Sequence, residues 1–255
     1  MRKKTNRIIR KTPEEIKIMI EGGRKLGRIK KRLVAEIKPG TTAQEIDLLT
    51  EELIKKAGGK PSFKMVPGYS WATCVNLNEG VVHGIPRKEI IFKKGDIVSV
   101  DLGLFYQGFH TDTSFSVGIL PTRTEIRFLE TGKLALRRGI EKAVPGNRIF
   151  DISEAIQTTL EAASASPIRA LVGHGIGRDL HERPQIPCFV SGSREKSPEI
   201  QVGMVFAIEV MYSQGKPDVF VAEDGWTIST KDGKIAGLFE ETVAVTSNGP
   251  VVLTA

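Results

Sequence analysis

Cysteine is nearly absent from this chain of 255 residues. Cys74 and Cys188 stand far apart with no C-x-x-C spacing, which excludes a disulfide scaffold and a zinc ribbon. Long apolar runs are missing as well: no stretch approaches the roughly 20 apolar residues of a membrane-spanning helix. The basic start MRKKTNRIIRK leads into no apolar segment with a small-residue cleavage site, so neither an anchor nor a secretory leader is expected. A soluble, cytoplasmic protein with no membrane partner is the expectation. Aromatic residues are sparse at 6% and do not interleave with the basic charge of residues 1–38, which carry 14 Lys and Arg against 4 Glu. A solvated helix face explains such a run better than a nucleic-acid motif, although the charge would suit an anionic neighbour. Histidine is scarce too, with four residues.

Apolar residues are plentiful at 40%, enough for a sizeable core. Thr12-Pro13-Glu14-Glu15 reads as a capping box opening a helix, and Ile16, Met19, Ile20, Leu26, Ile29, Leu33 and Ile37 give it one buried stripe. Pro39-Gly40 ends it, and Thr42 with Glu45 opens a second helix that stops near Gly58-Gly59. Strands are expected over 70–77, 89–92 and 97–105, the last returning through 108–117. The pattern then recurs, with helices over 122–143 and about 150–163 and strands over 169–172, 205–211 and 239–245. Residues 39–57 and 145–163 both read as Pro-Gly followed by a helix, 106 positions apart, with Glu45-Ile46 answered by Asp151-Ile152. The expected fold is therefore α+β, with two similar halves around a shared sheet. A basic segment is expected over 1–11, then one domain over 12–255, its halves about 12–120 and 121–255.

Two of the four histidines fall in LVGHGIGRDLHERP, residues 171–184. His174 sits between glycines and His181 follows seven residues later; the three glycines do not complete G-x-G-x-x-G. Imidazole is the commonest transition-metal ligand and also passes protons near neutral pH. Asp101 lies in VSVDLGL, where alternation sets it opposite Val98, Val100 and Leu102, and Asp112 lies on the returning strand. A turn at Tyr106-Gln107 would place the two carboxylates directly across the hairpin, and one at Gln107-Gly108 would make them diagonal. Glu209 in VFAIEVMYS and Glu240 in FEETVAV are charges written into apolar strands, where each needs a partner or a metal. With His174 they make five candidate ligands, four oxygen donors and one imidazole, a set suited to one or two divalent ions of the Mn, Fe, Co or Zn kind. His83 and His181 remain for proton transfer or for holding a carbonyl. His110 is expected on the face opposite Asp112, in a structural role.

The ordered set NEGVVHGIP, VSVDLGLFYQGFHTDTS, GHGIGRDLHERP, FAIEVM and FEETV closely resembles the type I methionine aminopeptidases, which have the "pita-bread" metallopeptidase fold. The likeness extends to the opening KTPEEIKIM. It implies that Asp101 and Asp112 hold one metal, that Asp112 and Glu240 bridge, and that His174 and Glu209 complete the other. It further implies that His83 and His181 contact the scissile amide, that Glu209 shuttles a proton, and that Tyr69, Cys74 and Trp226 line a methionine pocket. Glu241, Leu180, Val210 and Val66 depart from the pattern at places that bear on pocket shape and metal preference. The implied activity is removal of initiator methionine from nascent chains when the second residue is small, with two divalent ions; a monomer is expected, and the basic N-terminal region would suit proximity to the ribosome. A proline-specific peptidase of this fold is the nearest alternative, though the chain starts almost at the catalytic domain; a metal-free binding protein is the other.

Overall fold

Threonine starts three of the four helices, each time with glutamate three residues on. At α1 (Pro13–Val34), Thr12 Oγ1 accepts the Glu15 N–H at 3.3 Å and the Glu15 carboxylate accepts the Thr12 N–H at 2.9 Å. Two backbone donors without helical partners are satisfied at once. Thr42 and Glu45 repeat the exchange at α2 (Ala43–Lys56), as do Thr122 and Glu125 at α3 (Arg123–Glu141). At α4 (Ile149–Ala162) Asp151 accepts the Arg148 N–H at 2.7 Å, and the Arg194 guanidinium closes on the same carboxylate. α2 and α4 start at 43 and 149 and end at 56 and 162, so the 106-residue offset of the sequence recurs in space. The computed structural model describes residues 7–255; of the basic segment expected over 1–11, residues 1–6 lie outside the described residues.

The strands are β1 (Lys60–Pro61), β2 (Thr73–Leu77), β3 (Gly80–Val82), β4 (Ile97–Tyr106), β5 (Phe109–Gly118), β6 (Ser166–Pro167), β7 (Val172–Gly175), β8 (Glu182–Pro187), β9 (Val205–Ser213), β10 (Val219–Val221), β11 (Ile228–Thr230), β12 (Ala236–Thr246) and β13 (Gly249–Val252). One antiparallel sheet runs β1-β4-β5-β12-β9-β7-β8, with β2 also on β4, β6 on β9 and β13 on β12. The strands that precede α3 and those that follow it meet in this sheet where β5 lies against β12. α1 packs on β4 and β5, and α3 on β12 and β9. Val98, Val100, Leu102 and Leu104 of β4 join the apolar cluster that includes Leu26, Leu33 and Ile46 of the first two helices. Alternation therefore turns Ser99, Asp101 and Gly103 to the opposite face.

Tyr106 pairs with Phe109, which leaves Gln107 and Gly108 as the hairpin turn. Both have positive φ, 46° and 89°, as a type I′ turn requires. Of the two registers open to the sequence, this is the one that sets Asp101 opposite Ser114 and Asp112 opposite Gly103, so the two carboxylates are diagonal on one face.

Two strand expectations need correction, and one sheet was unforeseen. Residues 89–92 form no strand: the Phe92 N–H donates to Thr41 O at 2.8 Å and Ile90 O accepts the Ala43 N–H at 2.9 Å, so this backbone is committed to the chain entering α2. The strand expected over 169–172 begins at Val172 and runs on to Gly175, because the Ile168 N–H is already held by Met211 O beside β6 and the chain must bend before β7. A small separate sheet, β10-β11-β3, was not expected; its strands are three residues each, too short for alternation to reveal.

Candidate metal centre

Strand register assembles the site. Cys74 of β2 pairs with Asp101 of β4, Asp101 with Ser114 of β5, Ser114 with Glu240 of β12, and Glu240 with Glu209 of β9. One row across five strands thus carries three of the four candidate carboxylates. Asp112 stands two residues from Ser114, on the same face, and His174 pairs with Ala207, two residues from Glu209. Ligating atoms of Asp112, His174 and Glu240 lie within 4.8 Å of one another, and so do those of Asp101, Glu209 and Glu240. Glu240 is shared. Glu209 falls in the set with Asp101 and Glu240, and its strand also carries Ala207, the partner of His174.

Asp101, Asp112 and Glu240 are buried and Glu209 is half-buried. Among the described residues no Lys or Arg forms an ion pair with any of them, and Asp101 Oδ1 is buried without a hydrogen-bond partner. Burial pushes the Asp101 carboxyl up to about 7. Burial, and then neighbouring carboxylates, hold Asp112, Glu209 and Glu240 well above the usual range. Four acids turned toward one another with no cation to oppose them are costly. A divalent ion is the group that this donor set fits: hard oxygens, one imidazole and no thiolate within either set.

His174 is prepared for that role. Burial, with His181 as the second cause, lowers its pKa to about 3, so the ring is neutral. Its Nδ1 lies 2.9 Å from the Gly175 carbonyl oxygen; that oxygen only accepts, so Nδ1 carries the proton and Nε2 keeps a free lone pair. The flanking glycines serve the backbone. A Cβ on Gly173 would stand 2.7 Å from Ala207 O, and one on Gly175 would collide with Arg183 O, so side chains there would force β7 away from its neighbours.

His181 and His83 approach from outside the sheet. The His181 ring stands edge-on to His174, with centroids 4.5 Å apart. Its loop is fastened by a buried ion pair, Lys11 Nζ to Glu182 Oε2 at 2.6 Å, with side chains 2% and 3% exposed. Lys11 is itself anchored through its N–H to Gly203 O at 2.7 Å. His83 adopts φ +59°, a left-handed conformation uncommon away from glycine and often found where a site holds strain. Burial lowers its pKa, with His181 again the second cause.

A cavity of about 300 Å³ joins all seven of these residues to Tyr69, Cys74 and Trp226, at the small end of the roughly 300–1,000 Å³ of ligand pockets. The Tyr69 and Trp226 rings meet edge to face at 5.0 Å, and the Tyr69 hydroxyl donates to Thr73 O at 2.8 Å. Asp47 of α2 fixes this wall, because a single carboxylate oxygen accepts the N–H groups of Ala72 and Thr73 and the Thr73 hydroxyl. Burial keeps the Cys74 thiol well above its usual pKa, hence protonated. Leu180 and Val66, two of the residues that depart from the family pattern, also line the cavity.

Val82, Leu171 and Met211 were missed by the sequence reading and face the cavity too. Met211 could have been found, since it stands two residues from Glu209 on the same strand. His110 needs correction: two residues from Asp112 in β5, it shares that face. Its Nδ1 lies 2.9 Å from Ser62 Oγ and its ring rests against Phe105.

Comparison with known proteins agrees with this geometry. Residues 17–247 match the metallopeptidase family M24. Methionine aminopeptidase 1 of Bacillus subtilis is 43% identical over 249 residues, 97% of this chain and 99% of the relative. Methionine aminopeptidase of Clostridium perfringens is 41% identical over 249 residues, with 97% and 98% covered. The crystal structure of methionine aminopeptidase from Thermotoga maritima superposes with a TM-score of 0.93 at 42% identity, covering 97% of this chain and 99% of that one. Matched over nearly its whole length, with the acidic cluster at the centre of its sheet, the chain belongs to the metallopeptidase family M24.

Proposed function

We propose that this protein is a metal-dependent aminopeptidase that removes the initiator methionine from polypeptides with a small second residue. The observation that carries the reading is the buried acidic row beside a small, sulfur- and aromatic-lined pocket, in a chain more than 40% identical to methionine aminopeptidases over most of its length. Asp101, Asp112, His174, Glu209 and Glu240 would hold two divalent ions, Mn, Fe, Co or Zn. Such ions supply Lewis acidity, polarising the scissile carbonyl and lowering the pKa of a water.

The remaining steps fall to the chain's own groups. Tyr69, Cys74 and Trp226 receive the unbranched thioether, which makes favourable contacts with rings and sulfur. His83 and His181 hold the scissile amide. With its pKa lowered, His83 is neutral and donates an N–H to the carbonyl oxygen without adding charge to a crowded site. Glu209, half-buried on the cleft, takes the proton from water and delivers it to the leaving amine.

Comparing Met-Ala-Ser with Ala-Pro-Ala tests the reading against that of a proline-specific peptidase. Rapid release of methionine from the first and no cleavage of the second is expected, with activity lost on chelation and restored by metal. The opposite preference would replace the assignment, and folded protein that takes up no metal would favour the binding-protein alternative.

The finer setting is a cytoplasmic monomer working on nascent chains near the ribosome. Support comes from α1, where Lys17, Arg24, Arg28 and Lys31 are exposed, share one helical face, and form no ion pair among the described residues. Reversing these four charges is expected to abolish salt-sensitive binding to ribosomes while leaving tripeptide turnover intact. Binding that survives the change would remove α1 from that role.

A further inference from the structure

The seam between β5 and β12 is held less by backbone than by hydroxyls. Ten residue pairs join β4 to β5 and nine join β12 to β9, but only two join β5 to β12, Thr113 with Glu241 and Ser114 with Glu240. Beyond those, Thr242 Oγ1 accepts the Asp112 N–H at 2.8 Å and donates to the Asp112 carbonyl at 2.7 Å. Thr113 Oγ1 donates to the Glu240 carbonyl at 2.8 Å. Ser116 Oγ serves Leu238 N–H and carbonyl in the same way. The backbones of Asp112 and Glu240, which stand on opposite sides of the seam, are therefore both gripped by threonine side chains.

Those threonines converge on one ion pair behind the sheet. Lys30 Nζ of α1 donates to Glu241 Oε1 at 2.5 Å and to Thr113 Oγ1 at 3.0 Å, with side chains of the ion pair 12% and 18% exposed. The other Glu241 oxygen accepts the Thr254 hydroxyl at 2.5 Å, and Thr254 Oγ1 accepts the Thr242 N–H at 3.0 Å. Thr254 can reach this position because Gly27 of α1 has no side chain; a Cβ there would stand 2.7 Å from Thr254 O. Every hydroxyl in the chain from Lys30 to Asp112 has a donor and an acceptor assigned. Glu241 is also a fifth carboxylate, one residue from Glu240, and Lys30 is the cation that offsets it.

We infer that Lys30 and Glu241 are positioning residues for divalent-cation binding: a clasp across the seam that sets the spacing of Asp112 and Glu240 and, through it, the affinity of the centre. Neither touches the cation. The inference rests on the metal-centre reading above. Groups that support ligands typically govern affinity by about 10–100-fold, and here they act on two ligands that no long backbone ladder holds together.

Calorimetric titration of the chelator-treated, full-length protein with Mn²⁺ tests it, alongside the thermal midpoint of the metal-free protein. Lys30→Met is expected to weaken Mn²⁺ binding by about 10–100-fold. Lys30→Met/Glu241→Gln, which leaves no unpaired charge, should fold as the parent does and still bind weakly, and Lys30→Arg should recover most of the affinity. Thr113→Val, which cuts the link to Glu240 without altering charge, is expected to move affinity in the same direction. A folded double variant and Thr113→Val that both bind Mn²⁺ as tightly as the parent would overturn the clasp, leaving only a structural ion pair. If the parent itself takes up no Mn²⁺, or keeps its binding in Asp112→Asn, the metal-centre reading fails first and is seen to do so.

Discussion

Asp101→Ala and His174→Ala are each expected to abolish release of methionine from Met-Ala-Ser, even after chelation and metal replacement, while the chain stays folded. The loss should exceed the roughly 10–100-fold typical of residues that only support a ligand. Asp101 supplies one oxygen donor of its triad and His174 the only imidazole of the other. The two variants should part company when metal is absent. Asp101→Ala takes away a carboxylate buried among like charges, so the metal-free variant should unfold at higher denaturant than the metal-free parent. His174→Ala removes a neutral ring with a satisfied Nδ1, leaves a hole, and should unfold earlier. Turnover, metal content and urea midpoints check this together. Parental turnover in either variant after metal replacement would take that residue out of the metal set.

A second large effect concerns pH. Unfolded, the four acids titrate at their ordinary values near 4, whereas in the metal-free fold Asp101 titrates at about 7 and the other three well above their usual range. Between those values the folded chain keeps protons that the unfolded chain has lost. Stability is therefore highest below the unfolded pKa and falls as pH rises through the folded one, by about 1.4 kcal/mol per pH unit for each such proton. His174, His110 and His83, all with lowered pKa, act in the opposite sense, but only up to their ordinary pKa near 6.5. Above about pH 6.5, the ordinary histidine value, the carboxyls should dominate, and the metal-free protein should lose stability as pH rises through their raised pKa values. A divalent cation binds the ionised acids, so its affinity should climb over the same range, with protons released on binding. Urea midpoints with and without Mn²⁺ read both slopes. A metal-free midpoint that holds level or rises with pH would show that the acids are not buried against one another as the fold places them.

Local chemistry was legible in the sequence where it depends on neighbours a few residues apart. The Thr-x-x-Glu boxes at Thr12 and Thr42 mark the starts of α1 and α2, and alternation around Asp101 gives the face of β4. The hairpin turn stayed ambiguous between two positions because Tyr106, Gln107 and Gly108 all tolerate a turn, and only the paired ladder selects one. Residues 89–92 look like a strand because Ile90, Ile91 and Phe92 are apolar, yet their backbone partners lie in the loop before α2, which no local pattern encodes. The misplacement of His110 was avoidable, since residues two apart in a strand share a face. The candidate site residues are brought to one cavity, but the row that orders them depends on the register of β5 against β12, and no periodicity reports a pairing between segments so far apart.

Synthesis delivers the members of that row one by one. Thr113 and Glu240, joined across the seam, are 127 residues apart in the chain, so at roughly 5–20 residues per second about 6–25 s separate their appearance. When that interval begins, Asp101 and Asp112 have already been made, while Glu240, which belongs to both acidic sets, has not. Glu209 is made only late in that interval and Glu240 at its end, so neither acidic set can be complete before then. Both sets close only once β12 lies between β5 and β9. A copy stalled before that strand lacks Glu240, the carboxylate common to both sets, and is expected to release no hydrolytic activity into its surroundings.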